Sequence, residues 1–166
     1  MYNKCQIAII YASRYGATKQ VSEMIAEHIG SGVDLFSVAD IEELPEGYDL
    51  IMLGSGIYAN KFLPELGAFI DRNLDAIVSN KIVLFGVAMR ISMMLDKYDF
   101  LQPVAKEMLH GRMDFSQLND RDRSGLEKFY TARNYTEEQK MERRKLRDEI
   151  SDAECQAFAE RLQKHF

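Results

Sequence analysis

The chain has 166 residues, a length within the usual range for one domain and sufficient to bury a sizeable core. A formal net charge of -5 and an isoelectric point near 5.3 argue against a nucleic-acid binder. Two distant cysteines, Cys5 and Cys155, fit no metal or redox spacing and suit a reducing cytoplasm; the polar start Met1-Tyr2-Asn3-Lys4 is unlike a secretion signal, and the longest apolar run, Ile82 to Met89, is too short to span a bilayer.

Gln6 to Tyr11 reads as a first, buried strand. It runs into a short loop bearing hydroxyls and glycine, Ser13-Arg14-Tyr15-Gly16-Ala17-Thr18. An amphipathic helix follows, with Val21, Met24, Ile25 and Ile29 on one face and an end near Gly30-Ser31-Gly32. That geometry aims backbone N–H groups and a helix N-terminus at one point, and such a point binds phosphate. No Lys follows the glycine as in the GxxxxGK[ST] loop of nucleotide triphosphatases, and no GxGxxG is present. A single terminal phosphate monoester is the better fit, against the alternative of an ordinary strand-to-helix turn with incidental hydroxyls.

Val33 to Val38 reads as the second strand and Asp49 to Gly54 as the third, joined by a poor helix or loop through Glu42, Glu43 and Pro45. Pro64 suits the first turn of a helix whose stripe is Leu66, Phe69, Ile70, Leu74 and Ile77. Lys81 to Val87, bare of polar residues inside, fits a central parallel strand. A short helix is expected within Ile91 to Leu101, and a fifth strand over Ala105 to Met113. Ser151 and Glu154 form a capping box for a last helix with Cys155, Phe158, Ala159 and Leu162 on its apolar face. Between them lies a polar stretch, Asp114 to Ile150. There Leu126, Phe129 and Tyr130 stand at helical spacing, and Thr136 with Gln139 caps a helix running toward Arg147. Its thin apolar stripe reads as a solvated face, with a partner-docking or anionic-membrane surface as the alternative.

Tyr11, Ser13, Gly16 and Thr18 stand at the places of the flavodoxin signature, with Ser22 where that signature has a small alanine. The resemblance implies an α/β fold: a flavodoxin-like doubly wound parallel five-stranded sheet, order 2-1-3-4-5, as one domain over residues 1–166 with a helical insertion before the last helix. It also implies flavin mononucleotide (FMN). Ser13, Arg14, Tyr15, Gly16, Ala17 and Thr18 would wrap its phosphate, with Ser13 and Thr18 giving hydroxyls. The ring would lie between a second loop, Ser55, Gly56, Ile57, Tyr58, Ala59 and Asn60, and a third, Ala88, Met89 and Arg90. Tyr58 is the candidate for ring stacking; the alternative is a surface tyrosine packed on the Phe62 end of the next helix. The third loop lacks the usual aromatic. Arg90 stands there instead, as a cation that would favour a reduced, negatively charged flavin, pair with a substrate carboxylate, or be solvated. Met89, Met93 and Met94 are expected in core or pocket wall, and His28, His110 and His165 as structural or surface residues.

The chain is similar, further, to the flavodoxin-like menaquinone-dependent protoporphyrinogen IX dehydrogenases. Ser13 to Thr18 looks like their first loop, Gly54-Ser55-Gly56-Ile57-Tyr58 like their second, and Gly111-Arg112-Met113-Asp114-Phe115 like the close of their fifth strand; the insertion occupies a similar place. This implies an FMN-dependent oxidoreductase acting on a small or tetrapyrrole substrate. An electron carrier docking to protein redox partners, or a flavin-free binding module, are the alternatives. No side chain stands out as general acid, base or nucleophile. The expected partner is a small molecule or a redox protein, not nucleic acid, with no transmembrane segment and at most peripheral membrane contact.

Overall fold

Residues 4–91 and 95–166 are described by the structure, a computed structural model. Ile7–Ala12 (β1) is buried along its whole length, as a strand covered on both faces must be. Ala17–Ile29 (α1) follows and ends at Gly30, whose φ of 93° gives the left-handed turn back to the sheet. Next come Val33–Ser37 (β2), Leu50–Tyr58 (β3), Lys61–Phe62 (β4), Pro64–Arg72 (α2), Leu74–Val78 (α3) and Ile82–Ala88 (β5). Ala105–His110 (β6) completes a parallel sheet of order β2-β1-β3-β5-β6, with β4 a short antiparallel extension of β3. Over the five long strands this is the expected 2-1-3-4-5 order, and it sets the switch point between β1 and β3.

Helices cover both faces of that sheet. On one side Leu66, Phe69 and Ile70 of α2 and Ile77 of α3 pack on Ala8, Ile10, Ile51, Leu53, Ile82 and Leu84. On the other, Val21 and Ile25 of α1 meet Ile7, Ile9, Met52, Val83 and Phe85, together with Cys155, Phe158 and Leu162 of the last helix. Each large buried side chain adds roughly 2–3 kcal/mol of hydrophobic stabilisation. Gly54 is required by this packing: a Cβ there would lie 1.9 Å from the ring of Phe85.

Several expectations are revised. β3 continues to Tyr58 instead of stopping at Gly54, because Ala59 and Asn60, both at positive φ (49° and 61°), turn the chain straight into β4. The single helix expected after Pro64 breaks at Asn73, whose side-chain amide donates to the carbonyls of Phe69 and Glu42. The short helix expected within Ile91 to Leu101 is present as a 3₁₀ helix over Asp96–Leu101, while Met93 and Met94 fall outside the described residues. The fifth strand ends at His110; Arg112–Met113 (β7) leaves the sheet and pairs antiparallel with Arg147–Asp148 (β8).

That ribbon closes off the insertion, which holds Asp120–Ala132 (α4) and Glu137–Arg143 (α5). The expected Thr136–Gln139 capping box is present, but α5 stops at Arg143 instead of running on to Arg147. The last helix, Asp152–Leu162 (α6), has only half of its box. Ser151 accepts from the Glu154 N–H, but the Glu154 carboxylate instead takes the N–H and Nδ1 of His110.

Candidate functional site

At the carboxyl end of the sheet the strands deliver their following loops to one cavity of about 280 Å³, near the lower end of the range typical of small-molecule sites. Ser13, Arg14, Tyr15, Ala17 and Thr18 line it from the first loop, Gly56, Ile57, Tyr58 and Ala59 from the second, and Ala88, Met89 and Arg90 from the third. Of the residues expected there, Gly16, Ser55 and Asn60 do not line it. Ser55 is fully buried behind β3, where its hydroxyl accepts from the Leu63 N–H at 2.9 Å and donates to the Gly56 carbonyl. It ties β3 to the start of α2.

Gly16 shapes the first loop from outside the cavity. Its φ of 91° sets the left-handed entry to α1, and its N–H donates to Ser13 Oγ at 3.1 Å. The Ser13 hydroxyl proton therefore still has its full freedom to donate. No side chain caps α1, which leaves the first-turn amides of a 13-residue helix unpaired by the chain at the cavity wall. Thr18 is buried at the same turn, and Ser22 donates back to its carbonyl at 2.7 Å.

Tyr58 faces the cavity. Phe62 stacks on Tyr98, with centroids 4.1 Å apart, and Tyr58 is also partly buried against the core cluster that holds Phe62. The Tyr58 ring lies over Gly56, where a Cβ would come within 3.0 Å of it, and the Arg14 guanidinium sits 4.9 Å from its centroid. Burial pushes the Tyr58 phenol up to about 12, with Arg14 opposing, so it stays neutral.

The sequence reading missed the far wall: Val87, Gly111, Arg112, Met113 and Leu126. Gly111 to Met113 follow β6, and a terminal-strand loop at the sheet's carboxyl end was the available signal for them. Leu126 comes from α4 in the insertion, which is docked and not merely solvated. Arg14 Nη1 donates to both carboxylate oxygens of Asp122 at 3.0 Å. Tyr15 Oη donates to Asp122 at 2.5 Å and accepts from the N–H of Asn119, the residue that caps α4. Burial opposes the Asp122 charge, but the hydrogen bonds from Tyr15 and Arg14 outweigh it and hold the carboxyl below its usual range.

Among the described residues, the cavity is lined by three arginines and no carboxylate. Arg14 is paired with Asp122, and Arg112 with Asp148 and Gln20. Arg90 is exposed and has no ion-pair partner among the described residues. Helix amides, hydroxyls and the unpaired Arg90 guanidinium fit an oxyanion, and the apolar side chains beside Tyr58 fit a flat ring next to it. His28 pairs with Asp152 and His110 with Glu154, both away from the cavity lining. No group of His, Cys, Asp or Glu able to hold a metal occurs among the described residues.

The flavodoxin domain family matches residues 8–141. No curated protein matches the chain. Among solved structures, oxidised flavodoxin 1 from Bacillus cereus superposes with a TM-score of 0.51 at 17% identity, over 79% of this chain and 99% of that one. A WrbA-like flavodoxin from Agrobacterium tumefaciens gives 0.52 at 18% identity, over 80% and 100%. Two-electron reduced flavodoxin from Megasphaera elsdenii gives 0.52 at 16%, over 62% and 85%.

Proposed function

The chain belongs to the flavodoxin domain family, and from that premise we propose that it is an FMN-dependent oxidoreductase working on a small molecule. The observation that carries the cofactor reading is the uncapped N-terminus of α1, which meets Ser13, Thr18 and a carboxylate-free cavity at the switch point of the sheet. FMN, when bound, supplies two-electron transfer through its ring system. The chain's own part is to hold and surround it. The Ser13 hydroxyl and the amides of Ala17 and Thr18 would hold the phosphate, and Tyr58 would face the ring. Met89 and Met113 would keep water from its edge, and Arg90 would place positive charge at the mouth.

The preference for a small-molecule enzyme over a carrier rests on α4. The insertion lies against the first loop through Asp122 and puts Leu126 in the cavity wall, on ground that a docking redox protein would need. The unpaired charge of Arg90 at the cavity also favours an anionic reduced state, which suits a less negative potential than that of a low-potential carrier. The finer reading, a dehydrogenase of the menaquinone-linked protoporphyrinogen IX type, rests on the motif resemblance and on the place of the insertion. Free Cys5 and Cys155 suit work in a reducing cytoplasm.

The deciding test is the visible absorbance of the purified protein before and after addition of FMN, with mass analysis of released cofactor. Flavin bands from bound FMN are expected, followed by turnover with a small-molecule donor and a quinone acceptor. Failure to bind FMN after reconstitution would overturn the redox reading. Bound FMN that is reduced and reoxidised only through protein partners would mark a carrier.

A further inference from the structure

The insertion holds a second cavity, of about 450 Å³, which shares no lining residue with the first and is built around the Tyr135 ring, α5 and the entry to β8. Arg143, Lys145 and Arg147 line it against a single carboxylate, Glu142, and Lys145 already occupies that carboxylate. The Arg143 guanidinium lies 4.4 Å from the Tyr135 centroid. Neither Arg143 nor Arg147 has an ion-pair partner among the described residues. Arg147 Nε is buried without a hydrogen-bond acceptor. Behind Tyr135, with ring centroids 5.7 Å apart, Tyr130 is 1% exposed, and its hydroxyl is likewise buried without a partner. The charges of Arg147 and Arg143 both reach that phenol.

Arg143 and Arg147 both line the hollow with no ion-pair partner among the described residues, and unpaired guanidinium groups around one hollow call for an anionic acceptor from outside. A water molecule would leave the surplus positive charge in place. A tetrahedral oxyanion offsets that charge, because guanidinium groups bind phosphate oxygens through paired, charge-assisted hydrogen bonds. We propose that this hollow binds a phosphate-bearing anion, held by Arg143 and Arg147 beside the ring of Tyr135. The site stands whether or not FMN occupies the first cavity. Its ligand comes from one of two sources, a soluble phosphate compound or the headgroup of an anionic lipid. Met141 and Leu146 beside the hollow, 64% and 62% exposed, give the second source an apolar contact.

The test follows the arginine Nε–H resonances of the full chain by NMR during titration with inorganic phosphate, in parallel with sedimentation on phosphatidylglycerol and on phosphatidylcholine vesicles. Because the readout is specific to each residue, phosphate taken up by the first loop does not interfere. A saturable shift at Arg143 and Arg147, weakened about tenfold by Arg147→Gln, supports the site. Arg143→Gln, on α5 and outside the β7–β8 ribbon, must weaken it similarly, which separates lost binding from a disturbed fold. Phosphate shifts without vesicle binding assign a soluble ligand. Binding to phosphatidylglycerol alone, abolished in both variants, assigns a lipid headgroup. Unmoved Arg143 and Arg147 resonances together with equal binding to both kinds of vesicle, or to neither, would overturn the proposal.

Discussion

Gly54 and Arg90 show the two ways in which a single residue governs this site. Gly54 has no room for a side chain, since its Cβ would overlap the Phe85 ring at 1.9 Å and that ring is wholly buried against Phe158. Gly54→Ala should therefore cost about 2–3 kcal/mol in urea unfolding, an overpacking penalty paid just below the cavity. Arg90 is proposed to act only through its charge. It is exposed at the cavity mouth and takes no part in the core, so Arg90→Ala should leave stability within about 0.5 kcal/mol. The two-electron midpoint of bound FMN should fall by about 20–40 mV, the equivalent of roughly 1–2 kcal/mol. An unchanged midpoint in spectroelectrochemical titration would remove Arg90 from the electronic account.

Among the elements, α4 departs furthest from its expected role. Its N-terminus is fastened to the first loop through Asp122, whose side chain is 15% exposed. A carboxyl held below its usual range contributes stability at any pH above its unfolded value, about 4, and loses that contribution as the pH falls through the lower folded value. Asp122→Asn should thus lower stability by about 1–2 kcal/mol near neutrality. The gap from the parent protein should close as the pH falls below the ordinary carboxylate range and through the lower folded value, checked by urea titrations from neutrality into acid. This latch was not legible in the sequence. Asp122 sits in the polar run Asp120-Arg121-Asp122-Arg123, which reads as solvated, and its partners Arg14 and Tyr15 are more than a hundred residues away. The strands themselves were legible in unbroken apolar runs such as Ile82–Ala88, whereas their order and the convergence of three loops came from the family resemblance carried by Tyr11, Ser13, Gly16 and Thr18. The end of β3 was not legible, because Ala59 and Asn60 adopt positive φ without the glycine that normally announces such a turn. The inward-facing Ser55 was missed for a related reason: its hydroxyl is spent on the Leu63 N–H, a pairing set by the β3–β4 hairpin.

For the whole molecule, the cavity joins the parts that the fold holds most firmly to the part it holds by a latch. β1 and β3 lie side by side in the buried sheet, α1 packs on them through Val21 and Ile25, and α4 reaches the same loop from the insertion. A ligand that binds across these elements stabilises the folded chain by mass action, by about 2.7 kcal/mol at a hundredfold excess over its dissociation constant. In a chain of this length that raises the melting temperature by about 5–10 °C. FMN and riboflavin share the ring and differ in the phosphate, so the pair isolates the contribution of the first loop. If the α1 amides and Ser13 hold the phosphate, FMN should give the full rise, and riboflavin at equal concentration only a small part of it. Ser13→Ala should narrow the difference by weakening FMN about tenfold while leaving riboflavin unaffected. Equal melting shifts for the two flavins would place recognition in the Tyr58 wall instead, and leave the uncapped helix without a ligand.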